Sequence, residues 1–157
     1  MSFEGATFSG GTVYFGAAMF SGGMVSFDAA MFTDGVVGFD VATFSDGLVS
    51  FVESTFFGCG VSFDGATFSG GGVYFVEASF SRGLVSFSRV AFSAGEVSFD
   101  TATFSDALVS FDRATFSGGA VSFNGTMGSP PYKLLDAVGT PVPSTVRLPS
   151  AWMSENP

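Results

Sequence analysis

From Met1 to about Phe123 the chain repeats every twelve residues, and every phenylalanine but Phe57 falls in one of two columns of that repeat. The first column runs Phe3, Phe15, Phe27 and on to Phe123; the second runs Phe8, Phe20, Phe32 and on to Phe116, so the spacing alternates five and seven without a slip. A fixed short period marks a solenoid, because one unit is too small to bury its own apolar face and does so against its neighbours. In the copy from Val61 to Gly72, Val61 and Phe63 alternate with Ser62 and Asp64, and Ala66 and Phe68 alternate with Thr67 and Ser69. That is the period-two pattern of two short strands. Both apolar sets point inward only if the chain changes parity between them, at Asp64-Gly65 and at Gly70-Gly71-Gly72, where glycine tolerates the backbone of a corner. Helix is excluded, since glycine returns every few residues and no apolar stripe keeps a 3.6 period.

Stacked strands set equivalent residues above one another, so the interior is expected to hold ladders of Phe, of Val (Val13 to Val121) and of Ala, the last broken by Ser54 and Val90 and ending at Thr126. Small alanines beside large rings let the rings interdigitate. At 46% hydrophobic and 17% aromatic residues the chain is too apolar for a disordered polymer, in spite of 22 glycines.

Val61-Ser62-Phe63-Asp64-Gly65 and Ala66-Thr67-Phe68-Ser69-Gly70 each carry a small residue, a polar residue, a central Phe and two corner residues. In this the chain resembles the pentapeptide-repeat proteins over about four fifths of its length, and most of all their actinobacterial variety with Phe centres and glycine-rich corners. The resemblance implies an all-β, right-handed, four-sided β-helix with four pentapeptides per coil. The chain departs from it by two added residues at every second corner, often Gly plus a variable residue such as Leu48, Leu84 or Leu108. Two coil sizes follow. With four sides a coil takes 24 residues and the array spans about 24 Å; with full reversals at each corner it takes 12 and spans about 49 Å. The quarter-turn spacing between Phe63 and Ala66 favours 24.

The expected domains are a β-solenoid over 1–127 and a C-terminal capping segment over 128–157. At the N-terminal side no polar lid precedes Phe3 and Phe8. Either the first coil frays, or a second copy covers it, or the chain is a piece of a longer array; these readings stay open. Val52, Phe57 and Val76 put apolar side chains on outer columns and form a possible small binding spot, although single exposed apolar residues are ordinary. Gly128-Ser129-Pro130-Pro131 ends the array, because paired prolines donate no ladder hydrogen bonds. Beyond it Tyr132, Leu134, Leu135, Val138, Val146, Leu148 and Trp152 supply apolar surface for a cap. A helical turn is expected over 132–137, with irregular extended chain after it.

Chemistry is scarce. The chain has no histidine and one cysteine, Cys59, which removes Ser-His and Cys-His nucleophile pairs, His-based metal sites and an internal disulfide. No cofactor and no metal is expected, and no enzymatic activity. Fourteen acidic side chains against five basic ones give a net charge of -9, which disfavours nucleic acid and anionic membranes as partners. No membrane span or signal peptide is visible, so the expectation is a soluble chain, cytoplasmic by default. The acidic residues fall in two corner columns, Asp28, Asp40, Asp64, Asp100 and Asp112 in one and Asp34, Asp46 and Asp106 in the other. They are the candidate partner-facing residues, and Phe3 and Phe8 the candidate self-association end.

Three functions compete on this basis. The first is a non-enzymatic structural or protein-interaction solenoid that self-associates through its N-terminal coil. The second, implied by the family resemblance, is an acidic DNA mimic docking on a type II topoisomerase such as gyrase, although Gly16, Val52, Val76, Arg82, Ser88 and Ala94 interrupt its acidic columns. The third is ice binding through the hydroxyls of Thr43, Thr55, Thr67, Thr103 and Thr115 with Ser45, Ser69, Ser105 and Ser117, a ladder spoiled by Met19, Met31, Phe57 and Ala91.

Overall fold

Strand register decides the coil size. In the computed structural model, which describes residues 1–153, the strands pair in parallel and each rung steps by 24 residues: Thr7 with Met31, Met31 with Thr55, Thr55 with Ser79, Ser79 with Thr103. The alternate dodecads stack separately: Met19 with Thr43, Thr43 with Thr67, Thr67 with Ala91, Ala91 with Thr115. Two dodecads therefore make one coil of a β-solenoid, and the 12-residue alternative falls. Residues 154–157, the last of the expected cap, lie outside the described residues.

In chain order the strands are β1 (Thr7–Ser9), β2 (Thr12–Tyr14), β3 (Met19–Ser26), β4 (Met31–Thr33), β5 (Val36–Gly38), β6 (Thr43–Ser50), β7 (Thr55–Ser62) and β8 (Thr67–Tyr74). They continue with β9 (Ser79–Ser86), β10 (Ala91–Ser98), β11 (Thr103–Ser105), β12 (Leu108–Ser110), β13 (Thr115–Phe116), β14 (Ala120–Ser122) and β15 (Val146–Arg147). The odd dodecads form one sheet with β1, β4, β7 and β9 at its heart; the even dodecads form the other with β3, β6, β8 and β10.

The two kinds of corner differ. Each Asp-X corner is a β-turn: the Ala66 N–H donates to the Phe63 carbonyl at 3.0 Å, with Gly65 between them at φ 69°, the type II geometry. Equivalent positions hold Ala17, Ala29, Val41, Glu53, Glu77, Arg89, Thr101 and Arg113, all left-handed at φ between 56° and 61°. The glycine-rich corner changes parity as expected, with Phe68 and Val73 both buried and Gly71 at φ 66°, but in most coils it does not interrupt the strand pairing. β3 and β6 to β10 run through it as eight-residue strands, with register irregularities such as that between Phe92 and Ala94. Glycine there serves close approach as well as bending, since a Cβ on Gly71 would stand 2.4 Å from the Gly47 carbonyl oxygen.

Four phenylalanine ladders fill the tube. Successive rings, such as Phe39, Phe63 and Phe87 or Phe44 and Phe68, stack at 4.7–4.8 Å and within 5° of parallel. Across the tube the rings of the first sequence column meet edge to face, Phe63 against Phe75 at 5.8 Å and 83°. Both are low-energy arrangements for rings with a negative face and positive edge. Val61, Phe63, Ala66 and Phe68 are all buried, as their alternation requires. Polar intrusions into the alanine column are satisfied: the Ser54 hydroxyl donates to the Phe27 carbonyl at 2.6 Å, and that of Thr126 to the Phe99 carbonyl at 2.9 Å.

The two ends are unlike. At the C-terminal end α1 (Leu134–Val138) buries Leu134, and β15 adds a rung with Val146 beside Val121. A second helix, α2 (Ser150–Met153), carries Trp152 over Phe123 at 5.6 Å, and the indole N–H donates to the Gly128 carbonyl at 2.8 Å. The expected helical turn is thus present. The irregular extended run after it is corrected to a strand and a second helix, because each backbone rung and ring of the last coil offers a docking surface. At the N-terminal side β1, β2 and β3 are edge strands. Phe3 and Phe8 are only half-buried there, each stacked on one neighbour, Phe27 and Phe32, at 5.0 Å.

Candidate functional site

A 24-residue coil divides each acidic column between two edges. Backbone bonds from Gly5 to Asp28, Ala29 to Val52, Glu53 to Val76 and Glu77 to Asp100 trace one edge. On it each of the first five coils presents a carboxylate, Glu4, Asp28, Glu53, Glu77 and Asp100, and the sixth corner holds Asn124. The gaps at Val52 and Val76 are filled by the next residue along, so the ridge is continuous and carries no basic side chain. Sequence reasoning missed Glu53 and Glu77 because the acid moves one position within the corner. The opposite edge, traced by Ala17 to Asp40, Val41 to Asp64, Gly65 to Ser88 and Arg89 to Asp112, is mixed. It carries Asp40 and Asp64 toward the N-terminal side and Arg89, Asp112 and Arg113 toward the C-terminal side.

Four of the first column's five aspartates, all but Asp112, are tied into the wall by their carboxylates. Asp28, Asp40 and Asp64 each accept a short hydrogen bond at Oδ1 from the serine of the next coil, Ser50, Ser62 and Ser86. Asp100 accepts from Ser122 at 2.5 Å. Asp28 and Asp100 also accept the corner N–H groups of Val52 and Asn124 at 3.0 Å. A carboxylate has two oxygens and about four acceptor sites, so one oxygen locks the corner while the other is available outward. Asp34, Asp46 and Asp106 are more exposed. Asp34 and Asp106 share an edge with Arg82 between them, Asp46 lies on the opposite one, and Asp46 accepts its neighbour's N–H, from Gly47, at 2.8 Å.

The other candidates disperse. The hydroxyl ladder splits between two faces, with Thr43 and Thr67 on one and Thr55, Ser79 and Thr103 on the other. Ala91 follows Thr67 and Met31 precedes Thr55, so neither face carries a long regular array. The ring of Phe57 lies under the Arg82 guanidinium at 5.5 Å, while Val52 and Val76 stack at a different corner. Cys59 is buried, and burial pushes its thiol pKa up. Among the described residues no group of carboxylates or thiols is arranged to hold a metal ion, and no helix is long and apolar enough to cross a membrane.

Comparison with known proteins finds likeness at the level of structure alone. No protein-family model matches the chain, and no curated protein matches its sequence. Among solved structures, trypsin-treated QnrB1, a plasmid-mediated fluoroquinolone resistance protein, is similar at 17% identity with a TM-score of 0.26, over 79% of this chain and 73% of that one. HetL, a pentapeptide-repeat protein involved in heterocyst differentiation regulation in the cyanobacterium Nostoc, is similar at 10% identity with a TM-score of 0.17, over 79% and 73%. The solenoid assignment rests on the chain's own register and ring stacking.

Proposed function

We propose that the chain is a non-enzymatic protein-interaction solenoid that self-associates through its N-terminal coil. The observation behind this reading is the asymmetry of the ends. Trp152, α1 and β15 cover the C-terminal coil, while the N-terminal coil presents the edges of β1, β2 and the first half of β3, whose second half pairs with residues 1–3, beside half-buried Phe3 and Phe8. Unpaired strand edges above apolar rings are a template for another chain. Light scattering across concentration tests it: the apparent mass is expected to rise, and Phe8→Glu to reduce the rise. A strict monomer at every concentration removes the self-association.

A second reading is favoured by the ridge of Glu4, Asp28, Glu53, Glu77 and Asp100. One carboxylate per coil is one charge per about 4.8 Å, roughly 0.7 of the linear density of a single DNA strand at about 3.4 Å per phosphate. Such a ridge suits a basic protein groove, that of a type II topoisomerase included. A supercoiling assay with gyrase discriminates: inhibition or protection that is lost in Glu53→Gln/Glu77→Gln supports the mimic, and no effect at high excess counts against it.

A further inference from the structure

Between the glycine-rich corner and the mixed edge lies one face of the solenoid whose outer column reads Val36, Gly60, Leu84 and Leu108, successive rungs of one ladder, with Tyr132 on the next rung beside Ser110. The four large side chains are 48–57% exposed, although all are apolar or aromatic, and they line a single shallow depression. Gly60 leaves a notch in the stripe. A Cβ built there meets nothing nearer than Val36 Cγ2 at 3.9 Å, so the notch is open space outside a fully formed wall.

We propose that this face pairs with the same face of a second copy, the two solenoids antiparallel about a two-fold axis lying along the strands. That operation keeps each column opposite itself and reverses the order of coils. With the axis between Gly60 and Leu84, Leu84 of each copy enters the Gly60 notch of the other, and Val36 meets Leu108. On the mixed edge Asp64 then faces the Ser88-Arg89 corner, an attractive pairing in both halves, while Asp40 faces Asp112-Arg113, where Arg113 offsets the like charge of Asp112. The opposite face of the tube has no such symmetry. Its column of Met24, Leu48, Gly72, Glu96 and Ala120, reversed about Gly72, sets Leu48 against Glu96.

Two features keep the pairing weak. The patch measures about 24 Å by 13 Å from strand spacing and residue rise, about 310 Å² per copy, which is below the roughly 600 Å² per partner at which specific interfaces begin. On the far rim Asp34 falls opposite Asp106, with Arg82 one rung from Asp106 and, across the interface, one rung from the other copy's Asp34. The pairing is therefore a concentration-dependent equilibrium, and it leaves both N-terminal coils free at opposite ends.

Sedimentation equilibrium tests this with four variants. Gly60→Leu adds apolar surface, so non-specific stickiness would strengthen association, whereas filling the notch is expected to weaken the dimer at least about tenfold. Arg89→Glu/Arg113→Glu is expected to weaken it likewise, and Asp106→Asn to strengthen it. Far-ultraviolet circular dichroism confirms that each variant keeps its strands. As an independent readout, a mixture of Val36→Cys and Leu108→Cys chains is expected to form a disulfide heterodimer under mild oxidation, and neither chain alone to do so; Cys59 is buried and stays out of the reaction. Association that is unchanged in Gly60→Leu and in the double Arg variant, or absence of the mixed disulfide, overturns the lateral pairing while leaving association through the first coil standing. A wild-type chain that stays monomeric at millimolar concentration overturns both.

Discussion

The left-handed backbone at the Asp-X corners is imposed by stacking rather than by the residues that occupy them. Val41 sits at φ 58° because its N–H must reach the Asp64 carbonyl of the next coil at 2.9 Å. A β-branched side chain in that region is a steric outlier costing about 1–2 kcal/mol, only partly offset by the entropy a glycine would lose. Val41→Gly is therefore expected to raise stability by up to about 1 kcal/mol in denaturant unfolding; a drop of that size would contradict the type II corner. Cys59 makes a second residue-level test. Burial raises its pKa, so the thiol contributes stability that is complete below the unfolded pKa of about 8.5 and is lost as pH rises through the higher folded value. A thiol reagent is expected to label Cys59 only on unfolding; prompt labelling at neutral pH would contradict its burial. Glycine at the corners could be read from the sequence. Left-handed Val, Glu and Arg could not, nor could the Ser62 to Asp40 bond across 22 residues, because both depend on knowing which residues the next coil brings alongside.

At the level of the strand pair, the ladder is what the sequence announced most clearly. The unbroken five-and-seven spacing leaves one inward assignment for every ring, and Phe63 and Phe68 take it. Phe63 stacks on Phe39 and Phe87 at 4.8 Å and crosses Phe51 and Phe75 edge to face. Phe63→Ala is expected to cost about 3–5 kcal/mol, measured by urea unfolding. Phe8→Ala, at the half-buried first rung, is expected to cost clearly less; equal costs would contradict the difference between the ends. The glycine-rich corner was harder to read. Its residues look like a loop by composition, yet the backbone continues its ladder through them, because a parallel neighbour 24 residues on supplies partners that composition alone does not reveal. The tail was misread for a related reason: Ser150–Met153 is too short to be helical on its own propensity and is held by Trp152 packing on Phe123.

For the whole molecule, the cap and the coil size carry the account. Trp152→Ala removes the ring over Phe123 and the bond to the Gly128 carbonyl, and is expected to lower stability by about 3–5 kcal/mol; a change below about 1 kcal/mol would mean that the last coil needs no cover. The acidic ridge and the Val36 to Tyr132 stripe became visible only once the dodecads were sorted into alternate stacks, since a 12-residue column mixes the charges and apolar groups of opposite edges. Everything assigned to edges and faces depends on that sorting. Its most direct test is a pair of double-cysteine chains built on Cys59→Gly. Thr55 and Ser79 are cross-strand partners, at the parallel spacing of about 4.8 Å that a disulfide can bridge, whereas Thr55 and Thr67 lie on different faces. The account predicts spontaneous disulfide formation in Thr55→Cys/Ser79→Cys and none in Thr55→Cys/Thr67→Cys; a bridge in the second chain and not the first would contradict it.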